Sequence, residues 1–251
     1  MWAYSLVVKS GDSHAAQWFP ALERIAVKQD WRLISLTKSA CPAADVALYD
    51  ERLGRDYTEC DTWRRNSVER VLALKPALVI VANSSLYVDS PERGSLIGVS
   101  ADEWERGVRG MLERFNRERI RAVLLSDSPI PGFDVPTCLA RLNWRPSVFS
   151  GTCTFRRSDS LSAVVTASEE RAAAGTGVNI VSLSNTICGN PVCDPMLGQY
   201  VIYKDDHHLT AGFSASLAPE LEASLRPFVA SASLKGPAIE TVSTDEGRHH
   251  Y

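Results

Sequence analysis

Two short stretches carry the residue types of nucleophilic acyl chemistry: Gly11-Asp12-Ser13-His14 near the start of the chain and Asp205-Asp206-His207-His208 near its end. A serine attacks a carbonyl when a base takes its proton and a third group orients that base. The chain offers five histidines. His249 and His250 lie in a polar tail, and His14 adjoins Ser13, a placement that usually turns two side chains apart. His207 and His208 remain. The step from Asp205 to His208 can bring both side chains to one side of a turn, the carboxylate holding one imidazole nitrogen while the other faces Ser13. His207 would then point elsewhere. Each stretch also has a structural reading. A serine at a helix start is often only its cap, and a DDHH turn can be a solvated helix entry. Two histidines among carboxylates can hold a metal, but no third and fourth ligand stand at an obvious spacing.

The two stretches are far apart in sequence, so the fold must join them. Apolar runs at 4–8, 31–36, 77–82, 120–125 and 178–183 read as strands. Amphipathic runs at 14–29, 61–74, 100–119, 160–174 and 210–228 read as helices. Asp61 is the expected N-cap of the second helix, and Ser100 with Glu103 forms a capping-box pattern at the third. The strands are continuous apolar runs, as in strands buried on both faces. The expected architecture is one three-layer α/β/α domain over residues 1–228 with a mostly parallel five-stranded sheet. Residues 51–58 and 129–151 are the long irregular connections, and residues 229–251 form a mobile tail. In such sheets ligands bind outside the carboxyl ends of the strands. Ser13 falls there, where unpaired N–H groups at a helix start favour negative charge.

Composition narrows the class. With 251 residues and 45% hydrophobic content, the chain can bury one sizeable core. Its net charge is −3 and its basic residues are interspersed with acids, which argues against a nucleic-acid partner. No apolar run reaches a membrane-spanning length, and no signal peptide is visible. The first strand begins within a few residues of Met1, as expected for a piece of a longer protein. Six cysteines fall as three local pairs, Cys41 with Cys60, Cys138 with Cys153 and Cys188 with Cys193, each in a loop-like segment. Cys188 and Cys193 lack the second ligand pair of a zinc site. Buried reduced cysteines usually sit inside apolar runs, and none of these does. The pattern predicts three disulfides and an oxidising compartment.

The segments GDSH, TKSACP, CDTWR, PALVIVAN, DVPTCLA, ICGNPVC and YKDDHHLT together resemble the SGNH (GDSL-like) hydrolase superfamily. The resemblance is closest to the SGNH domains fused to bacterial acyltransferase-3 membrane proteins, and it covers about residues 3 to 225. It implies a flavodoxin-like fold with Ser13 as nucleophile, His208 as base and Asp205 as its orienter. It implies no cofactor. It further implies a periplasmic or extracellular domain taking an acyl group, expected to be acetyl, from an upstream membrane acyltransferase domain; as an isolated domain the chain is expected to be monomeric. The acceptor would be a cell-surface carbohydrate or glycolipid; an esterase using water is the alternative, and a binding module without catalysis a third reading.

The oxyanion donors depart from the family pattern. The second strand leads into Thr37-Lys38-Ser39-Ala40 without a glycine, and the third into Asn83-Ser84-Ser85 in place of Gly-x-Asn-Asp. Asn83 and Ser39 are the candidates. Trp18, Trp63, Tyr87 and Trp144 are possible sugar-stacking residues, although core packing is the commoner use of aromatics.

Overall fold

The computed structural model describes residues 5–89, 98–144, 152–229 and 240–241. Five parallel strands form the central sheet: β1 (Ser5–Gly11), β2 (Trp31–Thr37), β3 (Leu78–Ala82), β4 (Ala122–Leu125) and β5 (Asn179–Val181). A two-residue strand, β6 (Glu240–Thr241), pairs parallel with Ile34 and Ser35 of β2 and extends the sheet. The order is β6-β2-β1-β3-β4-β5. The chain therefore leaves β1 toward one side and resumes at β3 on the other. That reversal opens a crevice at the carboxyl end of β1, where Gly11 lies level with Thr37 and Ala82.

The apolar runs are continuous because both faces of the sheet are covered. Val8, Ile34, Val79, Val81 and Leu124 pack in one core, beneath α3 (Thr58–Leu74), α4 (Ala101–Arg117) and α6 (Ala163–Thr176). Their neighbours Val7, Leu33, Leu78, Ile80, Val123 and Leu125 pack in a second core. That one is covered by α2 (Phe19–Gln29), α7 (Ala211–Ser216) and α8 (Ala218–Leu225). Successive strand residues alternate between the cores, as pleat geometry requires. Trp18 is sealed in the second core, whereas Tyr87 stacks on Trp104 in the first at 5.9 Å. Trp63 packs against the first core, and Trp144 is exposed.

Local rules set several boundaries. The Ser100–Glu103 capping box forms at the start of α4 as expected. The run 14–29 is two helices, not one: a single turn, α1 (Ser13–Ala16), precedes α2, which begins at Phe19 with Pro20 in its first turn. Proline fits there because the first-turn N–H has no intrahelical partner. Pro219 marks a similar restart inside 210–228, giving α7 and α8. The second expected helix starts at Thr58 rather than at Asp61, which instead lies in its first turn and pairs with Arg64 at 3.1 Å. The connection 129–151 contains a helix, α5 (Val135–Trp144), and 51–58 includes one arm of a small hairpin between Tyr49–Asp50 and Arg55–Asp56. Of the expected mobile tail, residues 230–239 and 242–251 lie outside the described residues.

All three local disulfides are formed: Cys41–Cys60, Cys138–Cys153 and Cys188–Cys193. Cys41–Cys60 ties the loop after β2 to α3. Buried Arg64 reinforces the tie by donating to the carbonyls of Pro42 and Val46 at 3.3 and 2.9 Å. Closing a loop across this 19-residue separation restricts the unfolded chain. The double variant Cys41→Ala/Cys60→Ala is therefore expected to lose about 3 kcal/mol, read as a lower urea midpoint; an unchanged midpoint would contradict that account.

Candidate active site

The crevice at the end of β1 is shaped by Gly11. Its φ is +148°, and a Cβ there would lie 1.8 Å from the Ala82 carbonyl oxygen. Only glycine lets β1 approach β3 this closely and then turn into α1. Asp12, fully buried, is the N-cap of α1, accepting from the His14 amide at 2.8 Å. The capping role thus falls to Asp12 and not to Ser13. Ser13 is the first helical residue, half-buried, with its hydroxyl directed outward to His208.

The chain returns to this point through a tight turn. Tyr203 and Leu209 form an antiparallel bridge, and the Lys204 amide donates to the His208 carbonyl at 2.9 Å. Between them Asp205 accepts from the amides of His207 and His208 through Oδ1, at 3.0 and 2.6 Å. Its other oxygen meets His208 Nδ1 at 2.8 Å, and His208 Nε2 meets Ser13 Oγ at 2.8 Å. Gln17 fastens the turn to the sheet: Oε1 accepts from the Leu209 amide at 2.8 Å, and Nε2 donates to Ser128 Oγ at 3.2 Å. Ser13, His208 and Asp205 thus stand in one hydrogen-bonded line, with 195 residues of chain between Ser13 and His208.

The line favours a neutral imidazole. Burial lowers the His208 pKa from 6.5, helped by the nearby His207 and His14, and this outweighs the hydrogen bond and charge of Asp205. Burial disfavours the Asp205 carboxylate, but the two amides and His208 hold its pKa below 3.8. With Nδ1–H donated to Asp205, Nε2 keeps the lone pair that a general base needs. Protonating His208 removes that lone pair, so kcat/KM for an ester is expected to fall as pH drops through the His208 pKa. The midpoint should lie below 6.5; a midpoint above it would contradict the geometry.

Buried His14 and the partly buried Asp127 form a pair that the local sequence pattern does not reveal. His14 Nδ1 lies 2.5 Å from Asp127 Oδ1. Burial works against charge on both, but their mutual attraction raises the His14 pKa and lowers that of Asp127. Asp127 stands just beyond β4, at the same sheet edge as Asp12. The two carboxylates clamp the loop after β3: Asp12 accepts from the Ser84 amide at 2.8 Å and Asp127 from the Ser85 amide at 2.7 Å.

That clamp positions Asn83, which is buried. Its Oδ1 accepts from the Ala43 amide at 2.7 Å, so Nδ2 is the group left to donate. Ala43 belongs to the loop anchored by Cys41–Cys60. Ser39 lies exposed in the turn after β2, next to Ala40 at φ 53°, and the Lys38 amide ties this turn to the Gly11 carbonyl at 3.2 Å.

The sequence matches the family of SGNH domains fused to AT3 domains over residues 5–223. Comparison with curated proteins finds no match. Among solved structures, the chain is similar to the periplasmic domain of a Salmonella ser. Paratyphi A lipopolysaccharide acetyltransferase, with 17% identity and a TM-score of 0.66 over 90% of this chain and 84% of that one. It is also similar to a Bacteroides fragilis protein described as an acylhydrolase, with 15% identity and a TM-score of 0.52 over 90% and 88% of the two chains. These likenesses agree with the parallel α/β fold.

Proposed function

We propose, from the premise that this chain belongs to the family of SGNH domains fused to AT3 domains, that it is an extracytoplasmic serine O-acyltransferase domain. The observation that carries the reading is the line from Ser13 Oγ through His208 to Asp205, with both side-chain contacts at 2.8 Å. Ser13 attacks the donor carbonyl as His208 Nε2 takes the hydroxyl proton. The tetrahedral intermediate collapses to an acyl-serine, and His208 returns the proton to the leaving group. An acceptor hydroxyl then repeats the sequence in reverse, with His208 again as base. The Ser13 amide, Asn83 Nδ2 and the Ser39 turn are the proposed oxyanion donors.

The acyl group is proposed to be acetyl and the acceptor a cell-surface carbohydrate or glycolipid. The family's fusion to AT3 domains supports an upstream membrane acyltransferase as donor. The three disulfides support an oxidising location. No helix among the described residues is long and apolar enough to cross a membrane. Water is the competing acceptor. Incubation with p-nitrophenyl acetate and bacterial surface oligosaccharides separates the two, with products read by mass spectrometry. Acetylated sugar formed at the expense of free acetate is the expected result. Acetate release unchanged by every acceptor would favour an esterase.

A further inference from the structure

The proposed triad uses one of three imidazoles gathered at this edge. His14 stacks on His207 with ring centroids 5.4 Å apart and planes 13° from parallel. His208 lies 3.9 Å from His207 and 5.1 Å from His14 by the same measure. Each ring has Nδ1 against a carboxylate: His14 on Asp127 at 2.5 Å, His207 on Asp206 at 2.5 Å and His208 on Asp205 at 2.8 Å. That leaves three Nε2 atoms. His208 Nε2 meets Ser13, and His14 Nε2 is buried without a hydrogen-bond partner. A buried polar atom without a partner is costly and calls for an explanation.

We propose that His14, His207 and His208 form an inhibitory site for a divalent transition-metal ion of the zinc class, which occupies the Nε2 lone pair of His208 and so disarms Ser13. Imidazoles backed by carboxylates at the opposite nitrogen are the usual ligands of such ions, the carboxylate fixing the tautomer and strengthening the donor. One donor atom from each of the three residues lies within 4.8 Å of the others. Tetrahedral zinc sets nitrogens about 3.3 Å apart, given bonds of about 2.0–2.1 Å. Closing the site requires the His14 and His207 rings to turn out of their near-parallel stack until the three Nε2 lone pairs converge, with Ser13 Oγ or water as fourth ligand. Asp127, Asp206 and Asp205, each against one of the three rings, supply negative charge around the ion. Any proton on a liganding Nε2 leaves to solvent as the bond forms. Magnesium and calcium prefer all-oxygen sites and should not compete.

The inhibitory effect rests on the acyl-serine reading above; the binding does not. The test uses the full chain carrying His249→Ala and His250→Ala, so that the tail histidines contribute nothing. Zinc chloride is titrated against a chromogenic zinc indicator, and turnover of p-nitrophenyl acetate is followed in parallel. His207→Ala removes one ligand but keeps the amide that Asp205 accepts from, and its own turnover without zinc is the reference against which its inhibition is read. The expected result is one zinc per chain, unaffected by magnesium or calcium, with affinity at least about tenfold weaker in His207→Ala and in His208→Ala. Zinc should also inhibit turnover reversibly by chelator, and His207→Ala should need at least about tenfold more. Turnover without saturable zinc binding, or binding unchanged in both variants, would overturn the proposal while leaving the acyl-serine intact. Zinc binding that both variants lose, in a chain with no turnover, would support the site and count against the acyl-serine.

Discussion

Ser13→Ala is expected to lower turnover of p-nitrophenyl acetate by about 10^4- to 10^6-fold while leaving the protein folded. The large ratio follows from where the hydroxyl sits. Ser13 Oγ meets His208 Nε2, and the capping of α1 is done by Asp12. Removing the hydroxyl therefore costs no helix cap, so unfolding is a poor explanation for lost activity. A structural serine would give the opposite pattern, with little change in rate and a loss of about 1 kcal/mol in stability. The parent should accumulate one acetyl group per chain on Ser13 when the reaction is quenched early, detectable by peptide mass spectrometry. His208→Ala should lose turnover to a similar extent, and Ser13→Ala/His208→Ala little more than either, because the groups act as a unit. Equal turnover in parent and Ser13→Ala would remove the nucleophile from the proposal.

Legibility of the sequence differed by the range of the interaction. The five central strands could be read because burial on both faces leaves a continuous apolar signature, as in Leu78–Ala82, which is buried throughout. Asp205 and His208 could be read because three residues of a turn fix their relation locally. Ser13 could be placed opposite them once a parallel sheet was inferred, since such sheets gather function at one edge. The helix breaks at Pro20 and Pro219 were hidden because apolar spacing continues across a first-turn proline. Helix α5 left a usable mark: Asp134 accepts from the Thr137 amide at 2.8 Å, and Pro136 follows in the first turn. The His14–Asp127 pair left almost none, since its members are 113 residues apart and the contact exists only after folding. One clue was available: Asp127 follows a strand on the same sheet edge as Gly11-Asp12. The loop after β3, whose Asn83 is proposed as an oxyanion donor, was obscure for a related reason. It is held by the side chains of Asp12 and Asp127 rather than by a glycine pattern of its own.

Asp205→Asn is expected to lower kcat by about 10^4-fold with little effect on KM. The effect follows from the hydrogen bonds that Asp205 makes. Asp205 uses Oδ1 to accept two backbone amides, from His207 and His208, and Oδ2 to accept from His208 Nδ1. Asparagine has a single carbonyl oxygen. The two amides are donors and hold that oxygen, so the NH2 group must face the imidazole. His208 Nδ1 then becomes the acceptor, its proton moves to Nε2, and Nε2 can no longer take the Ser13 proton. The turn and the ring position survive while the tautomer is wrong. Asp205→Ala makes a different prediction, since it frees the two amides and lets the ring move. It should lose stability as well as rate, whereas Asp205→Asn should lose rate at a nearly unchanged melting temperature. An Asp205→Asn protein with activity near that of the parent would mean that some other group orients His208, and the line from Ser13 to Asp205 would then be a hydrogen-bonded turn without a catalytic task.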